Sequence, residues 1–371
     1  MHNAVADSNA PVVRVSTLEL FFDLVFVFAI TQMSHVFGHA HGALDFLRAF
    51  LVLAVVWWIY GGYAWLTSNV PTDRLTYRLL LLCAMAGFLV IALRIPAVAG
   101  RHGIVLGVAY LVVVLVHTAL FMHAPNSSAR AILGILPFNV VLGLLLVVSG
   151  LVPEQWNWIP MVGAGAAIVA TTVARRERDF QLSPSHFVER HGLVVLIALG
   201  ESVVATGAGV AEVPLGFAVI GAVVLGLALA AALWWSYFDR DDARAEHAMT
   251  RASGPDRARI AVYAYYHAHL LMITGIVVAA AGVHEAVAEL HGPATAATAW
   301  LVSSGVAVYL AGSVVFRWLL QIGSITPRVV TAAVVLGAAP FGMLMGSLVQ
   351  LGLVVTLLVV MLGVERSLHD Q

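Results

Sequence analysis

Apolar residues run along this chain in blocks of about twenty, separated by short stretches that carry most of its arginines and acids. A helix needs about 20 apolar residues to cross the hydrocarbon layer of a bilayer. Twelve blocks meet that length, at roughly 18–37, 44–67, 76–97, 102–123, 130–150, 157–174, 187–209, 214–238, 258–283, 296–319, 327–346 and 348–364. The pattern predicts an all-α, polytopic membrane protein of about twelve transmembrane helices. Its weakest division falls within 327–364, where Gly346 to Gln350 gives only a faint break.

Composition strengthens this picture. The chain has 371 residues, 61% hydrophobic and only 11% charged, with a mean hydropathy of +0.94. Soluble domains carry about 25% charged residues. A formal net charge of -1 gives no reason to expect nucleic acid as a partner. The single cysteine, Cys83, lies in an apolar run and allows no internal disulfide. The opening MHNAVADSNAPVV lacks a basic stretch before an apolar one, so no cleaved signal is expected.

All nineteen basic residues are Arg. With a cytoplasmic N-terminus, sixteen of them fall at inner ends of the blocks and three at outer ends, a strong positive-inside bias. Trp156 and Trp158 then suit an outer interfacial belt.

The polar punctuation recurs. ELFFDLVFVFAITQ from Glu19 parallels ERHGLVVLIALGES from Glu189. Each is followed by a Trp pair, Trp57–Trp58 and Trp234–Trp235, and then by an Arg opening the third block, Arg78 and Arg259. Arg130 parallels Arg328, and the two stretches end in ARRERD and VERSLHD. The expected organisation is a cytoplasmic tail over 1–17, a six-helix repeat over 18–180, a second over 181–366, and a cytoplasmic tail over 367–371. An even helix count leaves both halves in one orientation, and transport pathways in such proteins often follow the seam between halves.

The stretches ELFFDLVFVFAITQMSH and FVERHGLVVLIALGESVVATG, each followed by its Trp pair, resemble the low temperature requirement A (LtrA) family. That resemblance covers most of the chain. It implies a multi-pass protein of the bacterial cytoplasmic (inner) membrane linked to growth in the cold. A second similarity rests on Glu19, Phe21, Asp23, Val25, Phe26, Ala29, Ile30 and Thr31. Their spacing resembles the first-helix signature of the lysosomal potassium/proton channel family, which also has six-helix units. The chain departs from that signature at Phe22–Asp23, and Leu193 stands where a second-half counterpart of Asp23 would be.

Ionisable groups inside spans are rare and usually face a bundle interior or a water-filled path. Glu19 fits a helix cap with Ser16 or Thr17, or the inner end of an ion path. Asp23 lies deeper, and suits either an ion pair with an Arg such as Arg190 or a path or gate. Glu201 sits beyond the middle of the seventh block, beside Gly200. An isolated carboxylate there is costly unless it is protonated, paired or hydrated. It reads either as a proton relay or cation site, or as a hydrogen-bonded brace between helices. In the repeat Glu201 aligns with Thr31 and Ser202 with Gln32, placing polar groups at one depth in both halves. Glu189 and Arg190 form either an end-cap and anchor or an inner-mouth pair. His267 and His269 stand two apart, so they point in different directions on a regular helix, towards neighbouring helices or a proton path. No metal site is assigned, although His35 and His39, a helical turn apart with His41 close by, are weak candidates. A second outer stretch, His284, Glu285, Glu289 and His291, offers similar groups. No H-E-x-x-H, P-loop or G-x-S-x-G is present and no cofactor is expected.

The expected function is a channel or transporter for a small cation or proton, or a proton-coupled solute. Asp23 and Glu201 would line or gate the route, and Phe21, Phe22, Phe26 and Ile30 would form an apolar constriction. The alternatives are a lipid- or envelope-modifying membrane protein, or a non-transporting scaffold using the 239–259 loop. The expected partners are the bilayer and a small cation or proton, with a homo-oligomer left open.

Overall fold

The computed structural model describes residues 16–67, 74–97, 103–122, 128–174, 183–211, 213–290 and 292–369. The N-terminal stretch 1–15, residues 175–179 of ARRERD and His291 lie outside them.

Helix α1 (Thr17–Gly38) opens on a capping box, in which the Ser16 hydroxyl accepts from the Glu19 amide while the Glu19 carboxylate accepts from the Ser16 amide. The next five spans are α2 (Ala43–Thr67), α3 (Leu75–Arg94), α4 (Gly103–Met122), α5 (Ser128–Ser149) and α6 (Trp158–Ala174). Then follow α7 (Pro184–Gly209), α8 (Phe217–Phe238), a short polar α9 (Asp241–Arg251) and α10 (Gly254–Ile260). Helix α10 continues through a π-helical stretch, Ala261–Ala268, into α11 (His269–Ala288). The chain ends with α12 (Ala296–Leu320), the broken span α13 (Thr326–Leu336) and α14 (Ala339–Met345), and α15 (Ser347–His369).

Among the described residues there is no strand, and twelve helical segments are long and apolar enough to cross a membrane. The faint break falls at Gly346, whose φ of +97° suits glycine and separates α14 from α15. The ninth span starts earlier than hydropathy alone gives. Ser253 caps it and a proline stands in its first turn, so polar residues 254–257 join the helix.

Spans one to six and seven to twelve make parallel sets of contacts. Helix α1 packs on α3 as α7 packs on α11, α3 on α4 as α11 on α12, and α2 on α6 as α8 on α15. The α11–α12 contact is set by glycines at seven-residue spacing on each helix, Gly275 and Gly282 on α11 and Gly305 and Gly312 on α12. A Cβ at any of the four would meet the partner's backbone. Small residues of this kind let membrane helices approach closely. The two sets of spans meet where α1 and α2 lie against α7, α11 and the π-helical stretch.

Candidate functional site

Three polar layers lie along α1 at this seam. At its start, Glu19 caps the helix and also stands 3.5 Å from His186 Nε2 of α7. One turn further, Asp23 accepts from the Tyr60 hydroxyl of α2 at 2.7 Å and from Arg190 Nη1 of α7 at 2.8 Å. Arg190 is fully buried, and its guanidinium lies 5.9 Å from the centre of the Tyr60 ring. A buried ion pair is tolerable only when geometry and added hydrogen bonds offset its desolvation. Asp23 meets that condition. Arg190 meets it in part, since its Nε and Nη2 have no hydrogen-bond partner among the described residues.

Eight residues on, about 12 Å along the axis at 1.5 Å per residue, the Thr31 hydroxyl donates to Glu201 Oε2 at 2.5 Å. This pair lines a cleft of about 210 Å³ together with Ser34, His35, His39, His284 and Glu285 and with apolar side chains of α7 and α11. His35 and His39 also line an adjoining hollow of about 400 Å³ with Asp45, Arg48 and Glu154. Arg48 fixes that rim, donating to Asp45, to Asn157 Oδ1 and to the Glu154 carbonyl.

Between the ion pair and the cleft the buried face of α1 is apolar. Phe26 packs on Tyr60 with ring centres 4.2 Å apart and Ile30 is fully buried; Phe22, one residue before Asp23, stacks on Tyr63 at 5.2 Å on the N-terminal side of the ion pair. Phe21 is 51% exposed on the outer side of α1 and takes no part in this plug.

The other expected residues divide. Ser202 is buried and Gln32 half-buried near the Glu201 level. Glu189 is exposed while its neighbour Arg190 turns inward to Asp23, so the two form no pair with each other. His269 is enclosed. Its Nδ1 donates to the Ala264 carbonyl five residues back, a bond that the π-helical winding makes available, and Nε2 accepts from the Tyr237 hydroxyl of α8. His267 points elsewhere, half-buried beside Tyr263. His35 and His39 stack with ring centres 4.2 Å apart, and His41 bonds through its amide to Asp45. Among the described residues no three His, Cys, Asp or Glu side chains are grouped to hold a metal ion. Gly200 is no packing point, because a Cβ there would meet nothing within 4 Å.

A family-level comparison matches residues 14–363 to "Bacterial low temperature requirement A protein (LtrA)". The chain belongs to the LtrA family. It is also 26% identical, over 339 residues, to the uncharacterized protein RA0937 of Rhizobium meliloti (strain 1021), a match covering 85% of this chain and 79% of that one. The LtrA-like blocks quoted from the sequence are the ones that build the seam. They supply Glu19, Asp23 and Thr31 from α1, and Arg190 and Glu201 from α7.

Two further groups in this LtrA protein escape a reading of the sequence. Tyr60 holds the second oxygen of Asp23. His191 is fully buried, with Nδ1 donating to the Phe187 carbonyl and Nε2 without a hydrogen-bond partner among the described residues. A signal for this face was present, since Arg190 and Glu201 are eleven residues apart, close to three helical turns.

Proposed function

We propose that this LtrA protein is a channel or transporter of a bacterial cytoplasmic membrane, not an enzyme. It would move a small cation or proton, or a solute coupled to one, along the seam between two six-helix halves. The observation that carries this reading is the cleft that Glu201 and Thr31 line together. Water filling that cleft would reach a carboxylate within a span, which would remove most of the cost of placing a charge there. Glu201 serves as the outer binding group, and the Asp23–Arg190 pair as the inner charge gate. Phe26 and Ile30 form the apolar seal between them in a closed state, with Phe22 on the far side of the ion pair.

The parallel helix contacts support a tandem duplication with both halves in one orientation. An enzyme working on lipid would gather polar groups at one interface, whereas Glu19, Asp23 and Glu201 stand at three depths. Purified protein reconstituted in liposomes tests the reading. Cation or proton flux above that of empty vesicles is expected, and flux equal to empty vesicles, with incorporation confirmed, rejects it.

A further inference from the structure

We propose that a basic pocket at the junction of α8 and α9 binds the phosphate group of an anionic phospholipid, whose acyl chains lie along α8 and α15. The site shares no residue with the Glu201 cleft, so this proposal and the transport reading can fail separately.

The floor of the pocket is a closed network. Arg317 donates to both oxygens of Asp241, at 2.8 and 3.0 Å, and to both oxygens of Glu365, at 2.7 and 2.9 Å. Arg328 donates to Glu365 at 2.9 Å, lies 3.0 Å from Asp241, and reaches the Ser236 carbonyl at 2.6 Å. Two arginines and two carboxylates are thus matched, and the floor carries no excess charge.

The rim differs. Above the floor opens a space of about 100 Å³, also lined by Arg240, Arg244 and Arg366 against the single acid Asp239. The Arg240–Asp239 contact is 3.3 Å between side chains 37% and 46% exposed, a pair of little strength in water. The rim is therefore net positive. It presents guanidinium groups, whose planar fork of donors fits phosphate oxygens.

The apolar walls identify a lipid as the occupant. Trp235 and Leu362 line the same pocket. Down α8, Trp235 continues into the exposed Leu227 and Val224, eight and eleven residues earlier on one face. On α15, exposed Val359 stands one turn before Leu362, and Arg366 one turn after it. Helices α8 and α15 are packed neighbours, so the arginines begin where the exposed apolar face of this pair ends. That order, basic pocket over apolar wall, is what a phospholipid with an anionic headgroup matches.

The test uses delipidated full-length protein in detergent. Thermal shifts are measured with phosphatidylglycerol, with phosphatidylcholine of the same chains, and with inorganic phosphate. Phosphatidylglycerol is expected to raise the melting temperature more than the other two. The double variant Arg240→Gln/Arg366→Gln, in which both side chains reach solvent, should weaken its apparent affinity about ten-fold. Arg251→Gln/Arg259→Gln removes the same charge elsewhere on that end and should keep it. Equal shifts from the two lipids, an equal shift from phosphate alone, or equal losses in both double variants would overturn the proposal. The wild-type lipid comparison decides by itself should the rim variant fold poorly.

Discussion

Asp23 shows how an acid survives inside an apolar helix. Both its oxygens are used, one by Tyr60 and one by Arg190, so the charge is compensated within its own layer. Removing one partner leaves the other buried and unpaired, a change that costs about 3–5 kcal/mol. Asp23→Ala should therefore lower the stability of the detergent-purified protein by that amount, read from its denaturation midpoint. Asp23→Ala/Arg190→Met should lose less than the sum of the single variants, because it leaves no orphan charge. Additive losses would show that the pair is not coupled. The sequence made Arg190 a candidate partner for Asp23, since ionised groups in spans must find opposite charge. Tyr60 and His191 were hidden. A tyrosine or histidine within two turns of a span's end fits an interface as well as a core, and only the packing of α2 and α7 against α1 distinguishes the two.

Helix positions followed closely from hydropathy because the bilayer imposes one length on every span. Departures occur where polar residues extend a helix, as at 254–257. The π-helical stretch left no mark on hydropathy, yet it supplies the carbonyl that fixes His269. Glycines were equally ambiguous. Gly200, beside Glu201, faces open space, whereas Gly305 lies against the backbone of α11 at Ala279. Gly305→Leu should separate α11 from α12 and cost at least about 1–3 kcal/mol by overpacking. Gly200→Ala should leave stability unchanged or slightly raised, as alanine favours a helix over glycine by about 1 kcal/mol. Thermal unfolding of the two variants checks both expectations, and equal effects would contradict the packing described.

The arrangement of the twelve spans gives the site its meaning. Two sets of helices with parallel contacts meet at α1 and α7, and each contributes one member of the Thr31–Glu201 pair. The aligned repeat placed these two residues at one depth; that they touch depends on how the sets pack, which no periodicity encodes. Arginine asymmetry predicts an orientation, with a cytoplasmic N-terminus. In a Cys83→Ser background, Ala211→Cys should react with a membrane-impermeant thiol reagent in intact cells. Glu246→Cys should react only after permeabilisation. The reverse pattern would invert the topology and place the Glu201 cleft on the cytoplasmic side.

The transport reading is tested most directly by flux through Glu201→Gln, compared with wild type in liposomes at matched incorporation. Glutamine still accepts the Thr31 hydroxyl but carries no charge and binds no exchangeable proton, so the helices keep their contact while the binding group is lost. Flux is predicted to fall about ten-fold or more, equivalent to about 1.4 kcal/mol of lost interaction. Flux equal to wild type would contradict the assignment of Glu201 to the route.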